Sequence, residues 1–431
     1  MKKKYTQIIL ALTLLLSAAG CRKESPNIMN PEDVTYFRND YYPSEIFNHF
    51  WNAMNSSYLF WDIDQTDWDA IYTQYEPKFK ELDIIYDTET AEDKVEIDNY
   101  EDGGETTIMV YPSKIQSFEY YKEMIANLSD YHYTFELKGV GYKSPANDRV
   151  KSRDYYHDYS EKSNDLELVW NATNGKQEVF TRLKRASYEG AYNFSIYSAE
   201  IDGIALLSFS NFAITGIKYL NEVDLVPEAS NATLDEVLEN YFEITQSESF
   251  KGAIFDLRSN TGGYCYDLNL LFDDFINKDD YITFMKSRQK NGPGRLDYSP
   301  YIDVSINGQS SSPTQSFPIV SLINLYSVSM SEVSSLFFKE FNPNSIWIGE
   351  RSFGGQSLLN DDSIYAGGII ENDYIYIYTP SLMMSDINEV CHEGVGLTPD
   401  IEILYNDVID ELKLGNDIIM DRAIEYLNNI N

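Results

Sequence analysis

The stretch "LINLYSVSMSEVSSLFF", residues 322–338, decides the fold class because its hydrophobic period changes midway. Up to Leu325 it completes "PIVSLINL", an apolar run with the length and composition of a buried strand. Beyond Met330 the spacing changes, and Val333, Leu336, Phe337 and Phe341 fall on one face of a helix. Ser327, Ser329 and Ser331 occupy alternate positions at the junction. A serine between a strand and a helix has its oxygen over the carboxyl edge of a sheet, with a helix N-terminus near enough to favour an oxyanion. The residues alone leave two readings open. Either one serine is a nucleophile, or Ser331 caps the helix and Ser327 and Ser329 are turn residues.

The same alternation extends outward on both sides. "GIALLSF" reads as a buried strand, and "TLDEVLENYFEI" as a helix whose Thr233 and Glu236 have capping-box spacing. "GAIFDL", "SIWIGE" and "YIYIYTP" are further strands of the series. Residues 201–431 therefore predict an α/β core with an at least partly parallel sheet. Upstream, Ile46, Phe50 and Met54, then Trp68, Ile71 and Tyr75, recur at helical intervals, and "SKIQSFEYYKEMIANLSD" follows an acidic interruption at 97–105. Residues 44–137 thus predict an amino-terminal helical bundle. Residues 138–200 predict a short β-rich segment, in "LELVWNA", "EVFTRLKR" and "YNFSIYS". That segment shows no Gly-Leu-Gly-Phe loop of the kind a PDZ module uses to grip a carboxy terminus. The polar, Gly/Pro/Ser-rich stretch 287–315 is a candidate substrate wall, the bland alternative being a disordered insertion.

A length of 431 residues allows two to three folded units, and a hydrophobic fraction of 43% supports packed cores. With 33 basic and 69 acidic residues the net charge is −36, which repels nucleic acid and anionic membrane surfaces. "MKKKYTQIILALTLLLSAAGC" has the basic start, short apolar stretch and small residues of a cleavable bacterial export signal, residues 1–21. Its end resembles a lipoprotein cleavage box, which implies a lipid anchor on Cys21, and residues 22–43 read as a tether to the fold. Cys265 and Cys391 are too few for a disulfide framework but could pair in an oxidising compartment. With four histidines and no Cys/His cluster, the sequence implies neither metal nor organic cofactor.

A second informative stretch is "GAIFDLRSNTGGY", a strand running into Arg258 and the pair Gly262-Gly263. A glycine pair at a strand's carboxyl end lets backbone N–H groups face a reacting carbonyl, the alternative being a tight turn. In order, "GAIFDLRSNTGG", "LINLYSVSMSEVSSLFF", "IWIGERSFGGQS" and "EGVGLTPDIEI" resemble the core motifs of the carboxy-terminal processing (tail-specific) serine proteases. The likeness is closer to that family's tricorn-like and retinoid-binding-protein-like branch. "YLFWDIDQTDWDAIYTQY" and "LSDYHYTFEL" are similar to its amino-terminal helical region.

The resemblance implies a ClpP/crotonase-like core with Ser329 as nucleophile, and an oxyanion hole from the Met330 amide and one from Gly262 or Gly263. Glu332 and Arg258 would be supporting residues. The departures are informative. Where the family's Ser/Lys members carry a lysine in "TFGKG", this chain has "SFGGQ", with Gly355 at the lysine's place. Tricorn-like members use a histidine on the strand matching "GIALLSF", which here offers Leu206, Leu207 and Ser208. A serine needs a base to be nucleophilic. His132, in an Asp-x-His motif, is the first candidate and His392 the second; Glu393 matches a glutamate that orients the base in tricorn-like relatives. His49 and His157 lie outside any motif.

The function implied is a lipid-anchored, cell-envelope serine peptidase acting on peptide or protein substrates, with no nucleic-acid partner and membrane contact only through the lipid. The alternative is an inactive member of the fold that binds peptide or another ligand in the old cleft.

Overall fold

The structure, a computed structural model, describes residues 42–101, 104–154, 156, 180–188, 194–220, 232–312, 316–359 and 368–430. Cys21, residues 22–41 of the tether, "LELVWNA" and His157 lie outside the described residues.

The amino-terminal unit begins with α1 (Pro43–Ser57) and α2 (Trp68–Tyr86), at the two stretches where the helical spacing places them. Asp67 caps α2 by accepting the Ala70 N–H at 2.9 Å. The acidic interruption is not a loop but an antiparallel hairpin, β1 (Val95–Glu101) and β2 (Gly104–Val110), followed by α3 (Pro112–Ile125). Its aromatic-rich core packs Phe47 on Phe79 at 4.6 Å between ring centroids and buries Phe50, Tyr121 and Phe135 completely. Each such ring contributes roughly 2–3 kcal/mol by leaving water.

Next come β3 (Thr134–Leu137), β4 (Gly141–Lys143) and the short α4 (Ala146–Lys151). The chain then enters the main sheet through β5 (Thr181–Tyr188), β6 (Phe194–Ile201) and β7 (Ile204–Phe209). Here the sequence-based division needs correcting. β5 and β6, expected in a β-rich intermediate segment, extend the core sheet: β5 pairs antiparallel with β6, and β6 with β7.

After β7 the chain alternates helix and strand: α5 (Ile214–Leu220), α6 (Leu234–Thr245), β8 (Gly252–Asp256), α7 (Tyr266–Phe272), β9 (Tyr281–Arg288), β10 (Ile302–Asn307), β11 (Ile319–Ile323), α8 (Met330–Phe341), β12 (Ile346–Gly349), β13 (Gly368–Glu371), β14 (Ile375–Thr379), β15 (Met383–Asp386), β16 (Ile401–Glu402), α9 (Tyr405–Lys413) and α10 (Ile418–Ile430). The seven-stranded sheet has the order β16-β12-β11-β8-β7-β6-β5, parallel from β16 to β7. β8 and β11 are buried along their whole length because both faces are covered. Ala253 and Phe255 join the core under α6 and α8, whereas Ile254, Val320 and Leu322 join the one under α9 and α10. The α6 capping box forms, with the Thr233 N–H donating to Glu236 Oε2 at 2.7 Å.

"YIYIYTP" does not continue this series. As β14 it pairs antiparallel with β13 and β3, and Ile375 and Ile377 are buried in the core of the amino-terminal unit. The two units are therefore interleaved rather than sequential. Nor is 287–315 one open loop, since β10 pairs with β9 and the connection between them is strapped to the helical unit. Arg288 pairs with Asp62, and Arg295 pairs with Asp69 at 2.6 Å while lying over Trp61. The carboxyl ends of β7, β8, β11 and β12 lie next to one another along this sheet, where open α/β sheets bind ligands.

Candidate active site

Ser329 sits between β11 and α8 with φ 59° and ψ −119°, a conformation that a non-glycine residue enters only at a cost of about 1–3 kcal/mol. Such a strained strand-to-helix turn presents the side chain above the sheet. Ser329 is half-buried, whereas Ser327 and Ser331 are fully enclosed. The Ser327 hydroxyl donates to the Leu257 carbonyl at 2.7 Å, and Ser331 donates to the Asn260 carbonyl and to Asn260 Oδ1 at 2.8 and 2.7 Å. Thus Ser331 does not cap its own helix: its oxygen faces the neighbouring turn.

That turn carries Gly262 at φ +79° and Gly263 at φ +138°. A Cβ at Gly262 would lie 2.5 Å from Ser329 Cβ and 2.8 Å from Met330 N; one at Gly263 would lie 2.2 Å from the Phe212 carbonyl oxygen. Glycine is required at both on space as well as on backbone. Gly262 N–H donates to Asn260 Oδ1 at 2.9 Å, so it is spent inside the turn. Of the amides expected in the oxyanion hole, those of Gly263 and Met330 have no acceptor among the described residues. Met330 N–H is also at the positive end of the 12-residue α8.

His132 approaches from the other unit, on the segment between α3 and β3. Tyr133 and Phe135 anchor that segment in the aromatic core, and Ser129 N–H donates to Asp64 Oδ2 at 2.7 Å. The imidazole is 12% exposed and its Nδ1 lies 3.5 Å from Oε1 of the fully buried Glu393 side chain. That separation makes the contact an ion pair rather than a well-formed hydrogen bond. Burial opposes a charge on His132, but Glu393, with Asp130 and Glu332 behind it, raises its pKa above the ordinary 6.5. Glu393 is fixed by three amides: Tyr131 N–H to Oε1, and Gln356 and Ser357 N–H to Oε2, at 3.0–3.1 Å.

Gly355 explains how the histidine fits. A Cβ there would stand 3.1 Å from both His132 Cε1 and Val328 Cγ2. The imidazole occupies the side-chain space at the position where a lysine was expected and is missing.

Glu332 is completely buried and joins the parts. Its Oε2 accepts the N–H of Ser329 at 3.2 Å and of Gly355 at 2.8 Å; its Oε1 accepts the Gly354 N–H at 2.8 Å and the Ser352 hydroxyl. Burial pushes its pKa up to about 7, against the pull of those donors. Asp130, also buried, accepts His132 N–H at 2.8 Å and the Thr379 hydroxyl at 2.8 Å; burial and then the charge of Glu393 push it up to about 8. Asp130, His132 and Glu393 bring their ligand atoms within 4.8 Å of one another, a grouping able to hold a cation. The sequence reading assigned no role to Asp130, although it is the first residue of the Asp-x-His motif.

Three sequence assignments change. His392 Nε2 lies 3.3 Å from Asp386 Oδ2 within its own turn, so the second candidate base is engaged elsewhere. Arg258 is not a site residue in any direct sense: its guanidinium is buried between Asp256, at 2.6 Å, and Asp417, at 2.8 Å, tying β8 to the start of α10. Cys265 and Cys391 are free thiols, the first exposed and the second packed against the amino-terminal core.

Residues 204–403 match the model of peptidase family S41, and residues 42–83 match that of the tricorn protease C1 domain. Over residues 204–403, then, the chain is similar to the S41 peptidases. A carboxy-terminal-processing protease from Bartonella bacilliformis is 25% identical over 197 residues, covering 44% of this chain and 41% of that relative's length. The chain thus spans less than half of that relative's length. A crystal structure of a candidate peptidase from Parabacteroides merdae superposes with a TM-score of 0.59 at 17% identity, covering 90% of this chain and 97% of the other. This likeness bears on the fold alone: a mixed sheet covered by helices, with a helical amino-terminal region.

Proposed function

We propose that the protein is a serine peptidase that cleaves peptide bonds through an acyl-enzyme on Ser329. Ser329 Oγ attacks the scissile carbonyl as His132 takes its proton, Glu393 holds the imidazole, and the Gly263 and Met330 amides receive the oxyanion. As the tetrahedral species collapses, His132 returns the proton to the leaving amine, and a water then repeats the sequence to release the acyl group. The observation carrying this reading is His132 filling the space beside Gly355 while paired with a buried glutamate. It supplies a proton carrier for a site without the family's lysine and counts against the non-catalytic alternative.

An envelope location, with a lipid anchor at Cys21, is part of the proposal and rests on the amino-terminal sequence and on the kind of relative the chain matches. No helix among the described residues is long and apolar enough to cross a membrane. The test is hydrolysis of an unfolded protein substrate by the wild type, His132→Ala and His392→Ala. Loss of the base costs about 10²–10⁴-fold in rate, so His132→Ala falls by that much and His392→Ala stays near wild type. The reverse ranking would overturn the assignment of the base.

A further inference from the structure

Asn260 takes no part in the chemistry above, yet it is fully buried and every polar atom it has is engaged. Its N–H donates to the Leu257 carbonyl at 3.1 Å, and its Nδ2 donates to the Phe209 carbonyl, at the end of β7, at 2.7 Å. Its carbonyl accepts Val328 N–H at 3.1 Å and the Ser331 hydroxyl at 2.8 Å. Its Oδ1 accepts Gly262 N–H at 2.9 Å and lies 2.7 Å from the same Ser331 hydroxyl, which shares one proton between the two oxygens.

These partners have a pattern. Gly262 precedes Gly263, one amide of the oxyanion hole; Ser331 follows Met330, the other; Val328 precedes the nucleophile. One side chain therefore holds the neighbour of each donor, across the gap between the β8 turn and α8. We propose that Asn260, locked by Ser331, is the positioning residue of the oxyanion hole, fixing the spacing and direction of the Gly263 and Met330 amides. The inference rests on the peptidase reading of Ser329.

The physical need is specific. An oxyanion hole accelerates because its donors are already aimed before charge develops, and a single donor contributes about 10²–10³-fold. Gly262 and Gly263 hold positive φ angles and lack side chains to pack, so the turn has little of its own to fix it. Asparagine suits the position because it offers an acceptor to Gly262 and Ser331 and a donor to Phe209. Aspartate would lose the donor and put a negative charge beside the developing oxyanion.

The test compares two peptide inhibitors of one sequence. An aldehyde forms a tetrahedral adduct with Ser329 and needs the oxyanion hole, whereas the matching alcohol binds without forming one. In Asn260→Ala, kcat and aldehyde affinity should fall together by about 10²-fold, with KM and alcohol affinity within about 3-fold of wild type. Ser331→Ala removes only the hydroxyl shared by the two Asn260 oxygens and leaves the asparagine, so it guards against misfolding and should show the same split at about 10-fold. An unchanged aldehyde-to-alcohol ratio in both variants of an active protein would overturn the inference alone. A folded wild type that neither hydrolyses peptides nor traps the aldehyde would overturn the peptidase reading and the inference with it.

Discussion

Gly355→Ala adds one methyl group at the point where nucleophile loop and base meet. The new Cβ would stand 3.1 Å from His132 Cε1, 3.1 Å from Val328 Cγ2 and 3.5 Å from His132 Nδ1. Carbon atoms settle at roughly 3.5–4.0 Å, so about half an ångström of relief is needed. The backbone of Gly355 is held by its bond to Glu332, and Val328 is tied to Asn260, which leaves the imidazole as the part that gives way. Misplacing a reacting group by about 1 Å costs on the order of 10²-fold, so half that displacement predicts a loss of about 10-fold in kcat. KM should change little, since no substrate contact is removed. Overpacking costs about 1–3 kcal/mol and the stiffer unfolded chain returns about 0.4–1, so the folded state weakens by about 1–2 kcal/mol. Steady-state kinetics beside a thermal melt separate the two effects. A variant that stays folded and keeps kcat within twofold of wild type would refute the placement of His132 as proton carrier.

Ser329→Gly removes the proposed nucleophile and the strained positive φ together. Activity should vanish while stability rises by about 1 kcal/mol, read from urea midpoints; an active or destabilised variant would contradict the elbow. The pH dependence of stability follows from the buried acids. Glu332 and Asp130 are pushed up to about 7 and about 8 in the fold from ordinary values of 4.5 and 3.8 when unfolded, so the fold binds the extra protons. Their stabilisation is full below about pH 4 and is lost as pH rises through the folded values; the raised His132 acts in the same direction. Urea midpoints should therefore fall from pH 5 to 8, and less steeply in Glu332→Gln; equal slopes would argue against a protonated Glu332. Because His132 must be neutral to accept a proton, kcat/KM should rise with pH through a value above 6.5, and a midpoint below 6 would rule this environment out.

The strand and helix flanking Ser329 were legible because burial on a sheet and packing of one helix face impose different periods. The alternation from β7 to β12 was legible for the same reason. Periodicity reports burial but not the partner, which is why β14 was expected in the main sheet although it pairs with β3 and β13. The alternation in β5 and β6 marked strands but not whether they form their own module or extend the next domain, which the pairing of β6 with β7 decides. In the site, Ser329 and the glycine pair stood out through local motif and backbone requirement. The Asp-x-His motif ranked His132 ahead of His392, but the contacts that bear on that ranking, across 261 residues for His132 and Glu393 and within a six-residue turn for His392, were not readable. Asn260 was in plain view within "RSNTGG", but a turn asparagine carries no signal of what its side chain grips.

Treating the folded protein with a fluorophosphonate and mapping the modified peptide tests the chemistry most directly. The adduct should sit on Ser329, disappear in Ser329→Ala and form about 10²-fold more slowly in His132→Ala. A folded wild type that takes no label, or one labelled on another serine, would contradict Ser329 as the nucleophile.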